Sequence, residues 1–404
     1  MSNKIRESHV RIRNAFMHLE NDRTPLFELF WDFHPIYWDV CGRNPATDES
    51  VYWDALSEGI SLTELVEYQA QAKYKMAKFF GLDIINVGFN VETIPFRPKK
   101  TGKGKWLLDK EEYYFDDRTK RIRKLNYTAK DAFSCGKSEE DEREFIKRNF
   151  NCEIKKIAPE RLLVLKRLKE LAEKDGRDLV YMGEIGAGTG VAQYPEFMLM
   201  WMIAEPDLLQ KWIQIKARQA FYETTELISA GCEIIALGGD VSCDKGPLIS
   251  PGHYREFVLP VIREHVDIVH KMGAFAVYTS DGNHWKIKDD FFFNSGIDGY
   301  KEVDCAAGMT FSRLVDEGVK DRVCIIGNID ARHLLCNGSA EEVKRNVIDC
   351  LELGRKTPGG HILHTSHSVH EDVKTENYYA MNNAYREYFG LETIKKQETA
   401  EKSI

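Results

Sequence analysis

The segments CEIIALGGD (232–240), SPGHYREFVLPVIREHVDIVHKMG (250–273) and AFAVYTSDGN (274–283) occur in this order in the chain. The first and the last are short runs of apolar and β-branched residues that end in Gly, Asp or Asn. Such runs are typical of strands buried on both faces of a parallel sheet. The middle segment begins with Ser-Pro, which favours a helix start, and it ends at Gly273. Together they predict a strand–helix–strand unit.

Apolar runs of the same kind recur along the chain and give eight candidate strands. The other six are PLFELFWDFH (25–34), GLDIINVGFN (81–90), DLVYMGEIG (178–186), IDGYKEVDC (297–305), VCIIGNID (323–330) and GHILHTSHSV (360–369). Helices are predicted between them, since Ser61 with Glu64 and Ser339 with Glu342 have capping-box spacing. Eight strands with crossover helices predict an α/β fold, a (β/α)8 TIM barrel, and a doubly wound sheet is the main alternative.

The chain of 404 residues is 43% hydrophobic, so it can bury an enzyme-sized core. We expect a single barrel domain over residues 1–404. Residues 91–130 are predicted to form a small β-meander inserted after strand two, which could cover the barrel mouth or be a merely decorative hairpin. Residues 395–404 are predicted to be a flexible tail.

The composition argues against several classes of function. The formal net charge is -8 and the basic residues are scattered, whereas nucleic-acid binding needs a basic face. The N-terminus lacks the apolar segment of a signal peptide, and no stretch approaches a membrane span. Nine cysteines without a CxxC pair indicate reduced thiols. We therefore expect a cytoplasmic protein with neither a nucleic-acid nor a membrane partner.

Polar residues lie at the predicted carboxyl ends of the strands, where TIM barrels build their active sites. A capping or solvated role is the commoner one for any single acid, so the hypothesis depends on the convergence of the set. Strands two to eight contribute Asp83, Asn86, Glu184, Asp240, Asp281, Glu302, Asn328 and His367. The first strand and the loop beyond it contribute His34, Trp38 and Arg43.

The stretch HILHTSHSVHED (361–372) places four histidines at a spacing of three. On an extended strand, His361 and His367 share one face while His364 and His370 share the other, so only one pair can point into the barrel. We favour His367, because its two neighbouring serines are small and leave room for a ligand.

Several stretches resemble the uroporphyrinogen decarboxylase superfamily. They include FELFWDFHPIYWDVCGRN (27–44), GNIDARHLLCNGSAEEV (327–343) and ILHTSHSVHEDVKTEN (362–377). The resemblance runs from about residue 22 to about residue 385, apart from 91–160. It implies the same barrel, and the superfamily it points to contains corrinoid-linked methyltransferases as well as decarboxylases.

The resemblance to true decarboxylases is incomplete. Those enzymes share a stretch MRQAGRY after strand one, whose two arginines hold the porphyrinogen carboxylates. The matching stretch here is WDVCGRN, in which Arg43 matches the second arginine and Asp39 replaces the first. Asp83 and His367 match the decarboxylase's strand-two aspartate and late histidine. A decarboxylase or lyase for a smaller acid, with Asp83 and Arg43 as its working pair, is therefore an alternative, as is a non-catalytic binding protein.

The thiol methyltransferases of the superfamily carry HxCG on strand five and a second Cys on strand eight, which form a zinc site. Aligning YTSDG on that motif puts Thr279 and Asp281 at the first two ligand positions and His367 at the third, with no cysteine left. The resemblance thus implies a harder zinc site that would act as a Lewis acid at a leaving oxygen. A metal-free acid–base pair of Asp281 and His367 is the alternative. Candidates for the remaining ligand are Glu184, His284 and Glu302.

We therefore predict a methyltransferase that moves a methyl group from a small O-methylated donor, for example a methoxyarene, to the cobalt of a corrinoid. The corrinoid is expected on a partner protein, because the chain has no D-x-H-x-x-G cobalamin-binding motif. A second copy of the chain, in a homodimer, is a further candidate partner. Catalytic roles are predicted for Asp83, Glu184, Asp281 and His367, substrate binding for His34, Trp38, Arg43, Asn86, Asp240 and Asn328, and metal binding for Asp281, Glu302 and His367.

Overall fold

The structure is a computed structural model that describes residues 7–30, 33–87, 96–125 and 138–396. Most of the predicted tail lies outside these ranges, and so do both ends of the predicted insertion. Within the described ranges, no helix is both long and apolar enough to cross a membrane.

The strands are β1 (Ile84–Asn86), β2 (Lys99–Gly102), β3 (Lys105–Leu108), β4 (Glu111–Asp116), β5 (Arg121–Lys124), β6 (Val180–Ile185), β7 (Ile234–Gly238), β8 (Ser242–Cys243), β9 (Gly246–Pro247), β10 (Phe275–Thr279), β11 (Gly299–Lys301), β12 (Cys324–Ile326) and β13 (His361–Ile362). The α-helices are Glu7–Phe16, Ile36–Cys41, Glu49–Glu58, Leu62–Phe80, Glu139–Asn149, Leu163–Asp175, Glu196–Ala204, Pro206–Ala230, Pro251–His253, Leu259–Lys271, Phe311–Asp316, Leu334–Asn337, Ala340–Gly354 and Thr375–Tyr388. Both predicted capping boxes are present, at Ser61 and at Ser339.

Parallel strands form a curled sheet in the order β1, β6, β7, β10, β11, β12 and β13, which is also their order along the chain. A doubly wound sheet reverses its strand order at a switch point, so this order excludes it. Residues 25–30 close the ring from the other side. The Phe27 N–H donates to the Leu363 carbonyl (3.0 Å), and the Asp83 N–H donates to the Leu26 carbonyl (2.8 Å). The predicted TIM-barrel fold is therefore confirmed.

The first and eighth strands of the barrel are more irregular than predicted. Residues 25–30 meet the eighth strand through isolated bridges, among them Phe30 with Val369. The ladder of β13 covers only His361–Ile362, and the chain bends at Ser366 and His367. As a result, side chains beyond this bend no longer alternate as they would on a straight strand.

Strands β2 to β5 form an antiparallel sheet of consecutive hairpins within the range of the predicted insertion. Trp106 anchors it, because this residue is buried and its indole N–H donates to Asp54 Oδ1 at 3.0 Å. The Ile122 N–H also donates to Glu49 Oε2 at 2.7 Å. The small sheet therefore packs on helix Glu49–Glu58, which precedes the second barrel strand.

Alternate residues of the barrel strands build an apolar layer inside the ring. Its members from the strands are Phe27, Ile84, Val180, Met182, Ile234, Ala236, Val277, Cys324, Ile326 and Ile362. Helix Glu7–Phe16 closes the floor with Ile12, Ala15 and Phe16. A Cβ on Gly299 would lie 2.9 Å from the Phe16 ring, so glycine at this position makes room for Phe16. We call this buried ring in the barrel floor the Phe16 plug.

The next inward positions along six of the barrel strands are polar. They are Asn86, Glu184, Thr279, Lys301, Asn328 and His364. Because inward-facing residues recur at every second position of a strand, this polar layer lies directly above the apolar one, towards the carboxyl ends. The barrel thus has an apolar floor and a polar mouth, as an active site at the carboxyl ends requires.

Candidate active site

Four side chains that follow different barrel strands share one compartment at the mouth. They are Asp240 after β7, Asp281 after β10, Glu302 after β11 and His367 after β13, and we call them the acidic cup. The charge of His367 acts to lower the pKa of each of the three carboxyl groups. The sequence therefore placed these four residues in the same part of the barrel, as the structure does.

Asp281 has the most perturbed carboxyl group of the cup. Burial, followed by the charges of Asp240 and Glu302, raises the pKa of Asp281 to about 6. The residue is nevertheless partly exposed, and within the described ranges its carboxyl group has no hydrogen-bond or ion-pair partner. A carboxyl group with these properties can hold a proton near neutral pH and give it to a ligand.

Asp240 lies beside Asp281. The Asp281 backbone N–H donates to Asp240 Oδ1 across 3.4 Å. Burial and the charge of Glu302 raise the pKa of Asp240. Both members of this neighbouring pair therefore have a carboxyl group with a raised pKa.

A fully buried lysine, which the sequence reasoning missed, lies at the base of the cup. The Lys301 ammonium donates to Glu302 Oε1 at 3.1 Å and lies 4.0 Å from Glu184 Oε1. The second oxygen of Glu184 accepts from the Asn86 side-chain amide at 2.9 Å. Burial raises the pKa of Glu302, but the Lys301 and His367 charges outweigh burial and the pKa is lowered. Glu302 is therefore an ionised, paired carboxylate.

Glu28 and His364 lie inside the barrel next to this lysine and form a neutral pair. Burial raises the pKa of Glu28 to about 8 and lowers the pKa of His364 well below its usual value. His364 Nε2 lies 3.3 Å from Glu28 Oε1, which also accepts from the Thr365 hydroxyl at 2.8 Å. Since His364 Nδ1–H donates to the Thr365 carbonyl, Nε2 is free to accept a proton from neutral Glu28.

The four histidines of residues 361–372 do not divide between two strand faces as predicted. His361 packs outside the ring, where its Nε2–H donates to the Gly327 carbonyl at 2.8 Å. His364 points inward, and His367 reaches the cup. The prediction that only one alternate pair can face the barrel interior was wrong, because the strand ends at Ile362 and the chain bends before His367.

The hairpin β8–β9 supports the loop that carries Asp281. The Asn283 N–H donates to the Cys243 carbonyl at 3.0 Å. His284 is buried between Ser242 Oγ (2.8 Å) and the Ser280 carbonyl (3.2 Å), and burial lowers its pKa to about 4. Both ring nitrogens of His284 are thus used within the protein, and this residue holds the loop instead of facing the cup.

Asp83 lies at the opposite end of the barrel, because β1 begins one residue after it. Its carboxylate accepts from Arg23 at 2.9 Å, from Ser8 Oγ at 2.9 Å and from the Leu26 N–H at 2.9 Å. Asp83, Arg23 and Ser8 border a cleft of about 1370 Å³ at that end. In TIM barrels the amino-terminal face serves stability and the carboxyl-terminal face serves catalysis, so we place the candidate site at the cup.

Three predicted substrate-binding residues of the first loop contact neighbouring loop and rim groups. His34 donates from Nε2 to the Val373 carbonyl (3.2 Å), and burial lowers its pKa to about 4. The Trp38 indole N–H donates to the Thr47 carbonyl at 2.7 Å. Arg43 stacks over the Trp38 ring, 4.8 Å from its centroid, and pairs with Asp48. None of these contacts joins the first loop to the cup within the part of the chain that the structure describes.

The two predicted asparagines differ in their surroundings. Asn86 belongs to the base of the cup through Glu184. Asn328 is buried, and its amide donates to the Met309 carbonyl at 3.3 Å. Of the two asparagines, Asn86 is therefore the one whose amide contacts a carboxylate at the base of the cup, that of Glu184.

The side chains do not present a ready-made metal site. Across the described ranges, no group of three or more His, Cys, Asp or Glu side chains is arranged to hold an ion. Glu302, the predicted third ligand beside Asp281 and His367, already accepts a hydrogen bond from Lys301. The observed arrangement therefore does not fit the zinc site that the sequence predicts.

Comparison with known proteins places this barrel among its relatives. A methyltransferase from Methanosarcina mazei has a similar fold, with a TM-score of 0.63, 18% sequence identity, and coverage of 95% of this chain and 99% of that chain. A dihydropteroate synthase from Anaplasma phagocytophilum aligns with a TM-score of 0.33 and 12% identity, over 52% of this chain and 76% of that chain, which is too low to support any conclusion. No curated protein gives a significant sequence match. The sequence profile of the uroporphyrinogen decarboxylase (URO-D) family matches residues 160–388, more than half of the chain, and the protein belongs to this family.

Proposed function

We propose that the protein is a methyltransferase that moves a methyl group from a small O-methylated donor to the cobalt of a corrinoid carried by a partner protein. The observation that carries the proposal is Asp281, a partly exposed carboxyl group at the barrel mouth with a pKa raised to about 6. Family membership is compatible with this activity, and the similar fold from Methanosarcina mazei bears the name methyltransferase.

Breaking an O–methyl bond leaves charge on oxygen, so an acid at that oxygen lowers the barrier. In the proposed reaction the oxygen keeps the bonding electrons and takes the proton of Asp281, and the demethylated product leaves as an alcohol or a phenol. The neighbouring charges of Asp240 and Glu302 favour the protonated form of Asp281 before the reaction. The charge of His367 acts in the opposite direction and lowers the pKa of Asp281.

A corrinoid bound at the mouth would supply the reduced cobalt that accepts the methyl group. Residues of the mouth that are partly exposed, and so accessible from that side, include Asp281, Glu184 and His367. Asp281 can therefore reach a donor that lies between the cup and an incoming partner. No step is assigned to a metal ligated by this chain, since the observed donor set does not fit one.

The decarboxylase alternative requires Asp83 and Arg43 to act on one substrate. Asp83 pairs with Arg23 at the amino-terminal end of the barrel, whereas Arg43 pairs with Asp48 in the first loop. In addition, the carboxylates of the cup would repel a substrate rich in carboxylates. Among the residues that the structure describes, Asp83 and Arg43 are therefore not brought together as the working pair that a decarboxylase or lyase for a smaller acid would need.

The test is an anaerobic assay with the purified protein, reduced cob(I)alamin and a panel of methoxyarenes and alkyl methyl ethers. Formation of methylcobalamin with at least one donor is expected, and the Asp281→Asn variant should lose it. A parallel assay measures carbon dioxide released from a panel of small carboxylic acids. Carbon dioxide release without any methylcobalamin would reject the proposal in favour of the decarboxylase.

A further inference from the structure

Lys301 is a charged residue in a place where charges are rarely found. It is the last residue of β11, its exposed fraction is 0%, and alternation from Gly299 turns it into the barrel. The apolar layer lies below it, so its aliphatic stem can pack there while its ammonium rises to the cup. A buried ion is costly to desolvate and contributes little net stability, which suggests that its presence serves the site.

The partners of the ammonium define what it does. One is Glu302 at 3.1 Å, on the same strand end, and the other is Glu184 at 4.0 Å, across the ring on β6. The side chains become more exposed in the order Lys301 (0%), Glu302 (12%) and Glu184 (40%). The cation therefore lies deepest, and the two carboxylates rise from it towards the mouth.

Glu184 is held by both of its oxygens. Oε1 faces the Lys301 ammonium, and Oε2 accepts from the Asn86 amide at 2.9 Å. The hydrogen bond from Asn86 on β1 orients this carboxylate, and the Lys301 ammonium on β11 attracts it electrostatically. The Glu184 side chain is 40% exposed, so part of the carboxylate stays accessible at the mouth.

We infer that Lys301 is the positioning residue of the site, which holds the Glu184 and Glu302 carboxylates at fixed places on opposite sides of the mouth. Without its charge the two carboxylates repel each other, and Glu184 keeps only the Asn86 amide. The placement of the carboxylates follows from the contacts alone. The effect on catalysis rests on the proposed methyl transfer.

The experiment replaces Lys301 by methionine, which keeps the length of the stem and removes the charge. The matched control is Lys320→Met, because Lys320 is also fully buried but donates to Thr357 Oγ1 (2.8 Å) and the Gly359 carbonyl (2.8 Å), away from the cup. A crystal structure of Lys301→Met should show the Glu184 carboxylate displaced by about 1 Å or more, a shift large enough to matter for catalysis. Lys320→Met should leave it in place.

The kinetic arm uses methyl transfer to cob(I)alamin. A misplaced carboxylate should lower kcat on the order of 10²-fold in Lys301→Met, while Lys301→Arg, which keeps a cation, should recover most of the loss. If Lys301→Met does not fold, the double variant Lys301→Met/Glu302→Gln removes the unpaired charge as well, and Glu184 should still be displaced in its crystal structure.

An unchanged position of the Glu184 carboxylate in whichever of these variants crystallises would overturn the inference, and so would equal kinetics in Lys301→Met and Lys320→Met. If the wild-type protein transfers no methyl group at all, the proposed function fails instead. The crystal structures decide the role of Lys301 in that case too, because they do not depend on the reaction.

Discussion

The backbone N–H of Asp281 donates to the side chain of Asp240 across 3.4 Å, although 41 residues separate them in the chain. This contact joins the loops after β7 and β10, and it brings the Asp240 carboxyl group close enough to raise the pKa of Asp281. Burial and then Asp240 are the main causes of the raised pKa of Asp281. The acidity of Asp281 should therefore be adjustable from Asp240.

Replacing Asp240 by Asn should shift the pH dependence of methyl transfer to lower pH. The protonated form of Asp281 decreases as pH rises through its pKa, which is about 6, so the rate of an acid-catalysed step decreases over the same range. Removing the Asp240 charge lowers that pKa, and the decrease begins earlier. The measurement is kcat against pH. The control is Asp117→Asn in the turn between β4 and β5, since Asp117 is exposed, pairs with Lys120 and should leave the profile unchanged.

Replacing Asp281 by Asn should lower kcat by about 10²- to 10⁴-fold, the usual contribution of a general acid. The loss should depend on the donor, because a more acidic leaving phenol needs less proton transfer. Rates for a series of ring-substituted methoxyarenes would measure this dependence. An equal loss for every donor would mean that Asp281 binds the substrate but does not protonate it.

Replacing Asp83 by Asn should destabilise the fold. The buried carboxylate pairs with Arg23 and accepts from Ser8 and from the Leu26 backbone, so its loss leaves a guanidinium without its counter-ion. Breaking a pair of this kind costs about 3–5 kcal/mol, which urea unfolding would detect. Asp22→Asn removes an exposed partner of Arg11 and should cost about 1 kcal/mol or less. A stable Asp83→Asn protein that loses only activity would instead support a catalytic role.

Replacing Gly282 by Ala should damage both stability and activity. Gly282 has a φ of +83°, and an added Cβ would lie 2.8 Å from the Ser242 carbonyl carbon in the β8–β9 hairpin. Gly318 has a φ of +70° and nothing within 4 Å, so Gly318→Ala measures the backbone cost alone, about 1–2 kcal/mol. The loss of unfolding free energy in Gly282→Ala should exceed that in Gly318→Ala by about 1–3 kcal/mol, because either the hairpin or the Asp281 loop must move. If thermal unfolding shows equal destabilisation of Gly282→Ala and Gly318→Ala, the β8–β9 hairpin can move to accommodate the added Cβ without a further loss of stability.

The barrel could be predicted from the sequence because its signals are local. Apolar runs mark the strands, and Ser61 and Ser339 mark helix starts by capping boxes that form in the structure. The cup could be located because polar residues after parallel strands converge at one end of a barrel. Asp240, Asp281, Glu302 and His367 meet for that reason.

The parts of the site that were not predicted depend on distances in space, which a sequence does not contain. Asp83 belonged to a predicted strand of ten residues, but β1 starts just after it, so the same strand assignment placed it at the wrong end. Lys301 looked like an ordinary polar residue of a strand end. Only the alternation from Gly299, whose missing side chain admits Phe16, identifies Lys301 as inward-facing. The two-residue spacing from Gly299 to Lys301 is visible in the sequence. It identifies Lys301 as inward-facing only when the first residue of the strand is known.

The Phe16 plug has a consequence for the order of events during turnover. Because a helix seals the floor, the proposed methyl transfer would require a small donor and a corrinoid-carrying partner protein to enter through the same end of the barrel. In that reaction the donor would have to bind before the partner protein, and the demethylated product could leave only after the partner protein has dissociated. We therefore expect steady-state kinetics of the compulsory-order type, in which the partner protein binds second and dissociates first.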